Sequence, residues 1–236
     1  MEDIFQALPY SLAKNEKEAI YNQRIHELNL LHAENCPEYN RILNSLNYDS
    51  NRISHFHESP FLPVRLFKYY DLLSVSRESI VKTLTSSGTS GQAVSKIFLD
   101  KQTAMLQTKV LSNIVSSIIG KKRAPMLIID EPNVISNRNN FSARGAGILG
   151  FSLFGTKREY ALDEQMELRI DAVRAFLEKH AGSRIFLFGF TFMIFQHFLR
   201  ALEDRNINFD LSDAVLIHGG GWKKLIDQKI DSSQFR

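Results

Sequence analysis

The run Thr85-Ser86-Ser87-Gly88-Thr89-Ser90-Gly91-Gln92-Ala93-Val94-Ser95-Lys96 gathers the residue types that can hold a phosphate. Small residues let the backbone approach a ligand closely, and glycine admits positive φ. Successive backbone N–H groups in such a turn form an anion-binding concavity. The hydroxyls of Ser86, Ser87, Thr89 and Ser90 add donors that rotate to suit phosphate oxygens. Lys96 adds a point charge at the exit. The Walker loop is a different pattern, because it ends in Gly-Lys-Ser/Thr and opens a helix. Here the lysine comes five positions after Gly91 and begins an apolar, strand-like stretch. The loop therefore joins two strands, as in a hairpin. A bare surface hairpin is the competing reading, since Ser/Gly runs also make linkers. Two strong strands and a lysine at the exit favour the anion site.

A second candidate is His218-Gly219-Gly220-Gly221-Trp222-Lys223, which follows the apolar stretch 214–218. Three glycines leave bare backbone against which a flat ligand can lie; a tight strand-to-helix turn accounts for one glycine more readily than for three. His218 closes the strand, either as a hydrogen-bonded core histidine or as a pocket-lining residue. His-Gly-Gly-Gly also occurs in the oxyanion hole of some esterases, but the chain has no Gly-x-Ser-x-Gly elbow to supply a nucleophile. Arg144-Gly145-Ala146-Gly147 reads equally as a phosphate contact or as a glycine-rich turn. Phe186, Phe188, Phe190, Phe192, Phe195 and Phe198 read first as core, with some available to wall an acyl channel.

The elements that must position these residues follow from periodicity. Residues 11–33 carry a helical apolar stripe, and Pro37 suits the first turn of a second helix. Residues 61–67 read as an extended tether. Strands are expected at 80–85, 96–99, 126–130, 184–188 and 214–218. Helices are expected from Asp100, as cap, to about 119, at 163–180, at 191–205 and from about Trp222. Strands alternating with helices imply an α/β fold with a mostly parallel sheet. Ligands in such sheets bind beyond the carboxyl ends of the strands, which points to the loops after Thr85, Asp130 and His218.

Composition narrows the classes. The chain has 236 residues, 44% hydrophobic and 23% charged, with a formal net charge of +3. That excess is weak, and Lys121-Lys122-Arg123 is too short for a nucleic-acid stripe. The one cysteine, Cys36, excludes an intramolecular disulfide. The acidic start lacks a signal-peptide pattern, and the apolar stretch 184–199 is too short and interrupted for a membrane span. A soluble cytoplasmic protein without nucleic-acid or membrane partners is expected.

The loop Ser86-Ser87-Gly88-Thr89-Ser90-Gly91 with Lys96 resembles the phosphate-loop signature of the adenylate-forming superfamily. Val94 and Ser95 stand where that superfamily usually has a proline. Three further segments, Pro63-Val64-Arg65-Leu66-Phe67-Lys68, Gly189-Phe190-Thr191-Phe192-Met193-Ile194 and His218-Gly219-Gly220-Gly221-Trp222-Lys223, resemble the LuxE-type acyl-protein synthetases. These are the fatty-acid-activating ligases of bacterial bioluminescence operons and their relatives. Phenylacetate–coenzyme A ligases are a more distant match. The resemblance covers roughly residues 60–236, so a helical N-terminal segment (1–60) is expected before an α/β nucleotide-binding region (61–236) of an adenylate-forming domain.

What the resemblance implies is an ATP- and Mg2+-dependent activation of a carboxylic, fatty acid to an acyl-adenylate, followed by transfer to a thiol of an acceptor protein or coenzyme A. Residues 86–91 would hold the β- and γ-phosphates, and Lys96 would act in catalysis by neutralising the departing pyrophosphate. His218, Gly219, Gly220, Gly221 and Trp222 would line the adenine. No side chain is assigned as a metal ligand. The superfamily's downstream motifs, a Tyr-Gly-x-x-Glu segment, a ribose-binding aspartate and a lysine on a small mobile domain, do not follow Trp222. Cys36 does not match the family's C-terminal acceptor cysteine. The expectation is an N-terminal fragment that keeps a nucleotide-binding surface without full turnover, and that self-associates. The alternative is a non-catalytic nucleotide-binding or interaction module built on the same fold.

Overall fold

Helix α1 (Lys14–Asn35) starts where the Glu16 carboxylate turns back to accept the Ala13 N–H at 3.0 Å, which satisfies one of the donors a helix start leaves open. It stops before Pro37, which enters α2 (Pro37–Ser45) in its first turn. Asn29 is the buried polar residue of α1. Its amide donates to Tyr48 Oη and Ser59 Oγ, both at 2.9 Å, and accepts from Tyr39 Oη at 3.0 Å. Every strong bond this amide needs in an apolar setting is therefore made. The computed structural model describes residues 3–5, 7–49, 55–85, 93–135, 143–222 and 235. These fall into two units, 1–114 and 115–236.

In the first unit the stretch 61–67 does not stay extended to its end: a short helix, α3 (Leu66–Tyr69), begins within it. Strands β1 (Ile80–Thr85) and β2 (Lys96–Asp100) form the expected antiparallel hairpin, and its innermost pair is Thr85 with Lys96. The Asp100 carboxylate accepts the Thr103 N–H at 2.8 Å, the expected cap, and α4 (Lys101–Ile119) follows. No helix among the described residues is long and apolar enough to cross a membrane.

The second unit is built on β3 (Ala124–Ile129), β4 (Gly155–Tyr160), β5 (Ile185–Phe190) and β6 (Ala214–Gly219), all parallel, in the order β4-β3-β5-β6. Met126, Leu127, Ile128 and Ile129 are wholly buried, and β5 is buried along its entire length. Apolar side chains on both faces place a strand in the middle of a parallel sheet flanked by helices. Pro125 sits in one of these central strands, where a missing N–H breaks the ladder. The sheet absorbs it with a bulge: Pro125 pairs with Thr156 but Leu127 with Glu159, leaving an extra residue in β4, and Lys157 there takes φ 46°.

Several elements differ from expectation. Helix α5 (Ala143–Phe151) and β4 are not legible from periodicity. The helix expected over 163–180 is shortened to α6 (Ile170–Lys179). The Asp163 carboxylate accepts the Gln165 and Glu167 N–H groups, both at 2.9 Å, and Leu162 bridges to Leu168. These local bonds compete with the helix and hold 162–168 as a turn. After β5 the chain runs through α7 (Thr191–Met193), a π-helical turn Ile194–Leu199 and α8 (Arg200–Asp204), in the place expected for one helix. The helix expected from Trp222 falls outside the described residues.

Connections leave β3 toward β4 and then cross to β5 on its other side. The β3/β5 junction is thus the topological switch point of the sheet, the place beyond whose carboxyl ends ligands bind in open α/β sheets.

Candidate functional site

Three strand ends meet at the carboxyl edge of the second unit: Asp130 after β3, Phe190-Thr191 at the end of β5, and Gly219-Gly220-Gly221 at the end of β6. Asp130 is 1% exposed. Its Oδ1 accepts the Glu131 N–H at 2.9 Å, and its Oδ2 lies 3.2 Å from Arg144 Nε. That second contact is an ion pair without hydrogen-bond geometry, since Oδ2 has no hydrogen-bond partner among the described residues. Burial pushes the carboxyl above its ordinary value, while the Glu131 N–H and the Arg144 charge pull the other way. Arg144 stands in the first turn of α5, and its Nη1 lies 3.4 Å from Met193 Sδ. Arg144 is therefore helical and ion-paired rather than part of a loose turn.

Thr191, also buried, organises the end of β6. Its Oγ1 lies 3.0 Å from His218 Nδ1, 3.2 Å from the Gly219 carbonyl and 3.4 Å from the Gly220 carbonyl. A hydroxyl has one proton to give. The set is satisfied when His218 Nδ1–H donates to Oγ1 and Oγ1–H donates to a glycine carbonyl, which assigns the Nδ1–H tautomer. His218 is exposed rather than core, because β6 is only partly covered. Sequence reasoning assigned Thr191 no such role, although its place straight after an apolar strand was the available signal.

The glycine triplet divides in two. Gly220 takes φ 77°, and a Cβ there would lie 2.7 Å from Phe190 Cδ1. Gly219 and Gly221 have nothing within 4 Å of a Cβ position among the described residues, which leave those two faces open. Trp222 packs edge-on to Phe195 at 5.1 Å and lies 6.3 Å from Phe235; Phe235 in turn is 5.2 Å from the His218 ring. The aromatic run is mostly core: Phe186, Phe188, Phe190 and Phe198 are buried, while Phe192 and Phe195 are half-exposed.

In the first unit Lys96 stands at the neck of the hairpin, with its Nζ 3.3 Å from Asp71 Oδ1; Arg77 Nη2 holds the other oxygen at 2.8 Å. These two cations keep the Asp71 carboxyl below its ordinary value, Arg77 foremost. The expected phosphate contacts Ser86, Ser87, Gly88, Thr89, Ser90 and Gly91 lie outside the described residues. The structure thus gathers His218, Gly219, Gly220, Gly221 and Trp222 in the second unit, and places Lys96 in the first.

The family model "Acyl-protein synthetase, LuxE" matches residues 1–236. The chain belongs to this family. The match takes in the helical segment before residue 60, which the motifs alone did not reach. A long-chain-fatty-acid–luciferin-component ligase of Aliivibrio fischeri is 26% identical over 242 residues, covering 98% of this chain and 61% of that protein. A protein of the same name from Photorhabdus luminescens is 31% identical over 88 residues, covering 37% of this chain and 75% of its own length. The chain thus spans about three-fifths of the Aliivibrio fischeri relative.

Proposed function

We propose that this chain carries the nucleotide-binding part of an adenylate-forming domain, over residues 61–236, that activates a fatty acid with ATP and passes the acyl group to a thiol. A carboxylate oxygen would attack the α-phosphorus, forming the acyl–phosphate bond and breaking the bond to pyrophosphate. The thiolate of a protein or of coenzyme A would then displace AMP. The membership in a family of acyl-protein synthetases supports the reaction class. The observation that carries the nucleotide reading is the pair of open backbone faces at Gly219 and Gly221, at the carboxyl end of a parallel strand.

In this reading the open faces of Gly219 and Gly221 take the adenine, with His218 and Trp222 beside it. Thr191 holds the turn by its bonds to His218 and the glycine carbonyls. The 86–91 loop and Lys96 take the phosphates. Preorganised donors aimed at developing charge contribute most in phosphoryl-type chemistry. Lys96 would exchange Asp71 for phosphate oxygens, a trade of one anion for another. Among the described residues no three His, Cys, Asp or Glu side chains gather as a metal site, so Mg2+ is proposed only as the ion that accompanies ATP.

Calorimetric titration with ATP and Mg2+, followed by hydroxylamine trapping of acyl-adenylate from octanoate and ATP, tests the proposal. ATP binding together with hydroxamate formation is the expected result. ATP binding without hydroxamate would make the chain a nucleotide-binding module, and no ATP binding by the folded chain would overturn the reading.

A further inference from the structure

We propose that Arg144, held in place by Asp130 at the β3/β5 switch point, is a receptor for an oxyanion of the ligand. The shared chemistry is that of a carboxylate or a phosphoryl group; which of the two arrives there rests on the adenylation reading above, and the receptor itself rests on geometry.

A carboxylate that is 1% exposed is costly to keep ionised, and burial is justified only by a partner worth orienting. Asp130 spends Oδ1 on the Glu131 N–H and sets Oδ2 against Arg144 Nε at 3.2 Å. This is not the two-bond fork that arginine–carboxylate pairs frequently adopt. The guanidinium has five N–H donors. Nε faces Asp130, and Nη1 faces the Met193 thioether at 3.4 Å, a weak acceptor. No other acceptor for the guanidinium is found among the described residues, although 22% of its side chain is exposed. Glu131, the neighbouring anion, points elsewhere and accepts the Asn133 N–H at 2.6 Å.

The outcome is a planar cation with its orientation fixed from behind and donors left over in front. Arginine in this state matches carboxylate and phosphate geometry and loses little freedom on binding. Its position is the one where open α/β sheets receive ligands. Asp130 is accordingly a positioning residue and does not itself touch the ligand.

The test is calorimetry on the full chain with three probes, octanoate, octanol and inorganic pyrophosphate, for the wild type and for Arg144→Gln, Arg144→Lys and Asp130→Asn. Circular dichroism checks folding. The expected result is a loss of about tenfold or more in affinity for one anion in Arg144→Gln, with octanol binding unchanged. Arg144→Lys, which keeps the charge and most of the packing, restores part of that affinity and serves if the glutamine variant does not fold. Asp130→Asn weakens the same probe several-fold. A response confined to octanoate names a carboxylate, and one confined to pyrophosphate names a phosphoryl group. A folded wild type that binds neither anion overturns the proposal. So does a folded Arg144 variant with both affinities intact, even if ATP binding and hydroxamate formation persist, in which case the receptor alone fails. If Arg144→Gln loses octanoate while the wild type makes no hydroxamate, the receptor stands and the adenylation reading fails.

Discussion

Substituting each glycine of the triplet in turn by alanine separates packing from ligand contact. Gly220 takes φ 77°, and an L-residue held there costs about 1–2 kcal/mol. Its new Cβ would also lie 2.7 Å from Phe190 Cδ1. That ring is buried and Phe188 meets it edge-on, with ring centroids 6.2 Å apart, so it has little room to retreat. Overpacking of this kind adds about 1–3 kcal/mol. Gly220→Ala should therefore destabilise the second unit by roughly 3.5 kcal/mol, the sum of the midpoints of those two ranges. With a urea slope of about 2 kcal/mol/M, the midpoint falls by about 1.8 M. Trp222 is the single tryptophan of the chain and packs on Phe195 in the same unit, so its fluorescence follows this transition. Gly219→Ala and Gly221→Ala meet no atom of the described residues and should leave the midpoint within about 0.3 M of wild type, as surface changes do. If Gly220→Ala is no less stable than those two, the strain argument is wrong. The same two variants should weaken ATP binding, because a methyl group would stand where the proposed adenine lies.

Other perturbations have equally definite outcomes. Gly155→Ala should lower the urea midpoint by the equivalent of about 1–3 kcal/mol, since its Cβ would stand 2.6 Å from the Cβ of wholly buried Met126. An unchanged midpoint would show that β4 can shift away from β3. Lys96→Ala should reduce ATP affinity by about tenfold in calorimetry without altering the hairpin's fold, and full affinity would remove Lys96 from the phosphate site. Burial lowers the His32 imidazole below its ordinary value of 6.5, and its Nδ1 lies 2.7 Å from Ser74 Oγ. The unfolded chain then takes up the proton first, so this contribution to stability is complete above about pH 6.5 and is lost as pH falls toward the lowered value. In His32→Gln, stability should be flatter with pH across that window. A slope identical to wild type would exclude His32 as its source.

Much of the architecture was legible because it rests on apolar runs and local chemistry. Residues 126–129 and 185–188 announce central strands, Asp100 announces its helix, and the Thr85–Lys96 neck announces the hairpin. The parts that were not legible have physical reasons. Strand β4, Gly-Thr-Lys-Arg-Glu-Tyr, is an outer strand among the described residues and carries a bulge, so it shows neither an apolar run nor strict alternation. Helix α5 contains Gly145, Gly147 and Gly150, which read as a turn; Gly147 is required by the Phe188 and Phe190 rings beside it. Asp163 looks like the start of a helix and instead bonds its own neighbours. The Asp130–Arg144 pair joins the end of a strand to a helix that periodicity did not reveal, so no spacing rule could have found it.

The two readings of the glycine triplet, a tight turn and a bare face for a ligand, are both accommodated once Phe190 is considered. Its ring fills the space that a side chain at Gly220 would need, and Gly147 makes room for it on the other side. Gly220 therefore serves the turn, by its φ of 77°, and the core, by admitting the ring. Neither demand falls on Gly219 or Gly221, whose φ values lie outside the left-handed region and whose missing side chains would meet no atom within 4 Å among the described residues. Packing explains the middle glycine and leaves the outer two unexplained. Glycine carries an entropic cost of roughly 0.5–1 kcal/mol relative to alanine wherever its freedom is not used. Two such positions flank a structurally required one at the carboxyl end of a parallel strand, where Thr191 Oγ1 faces the Gly219 and Gly220 carbonyls, and the adenine contact proposed above would give them a use.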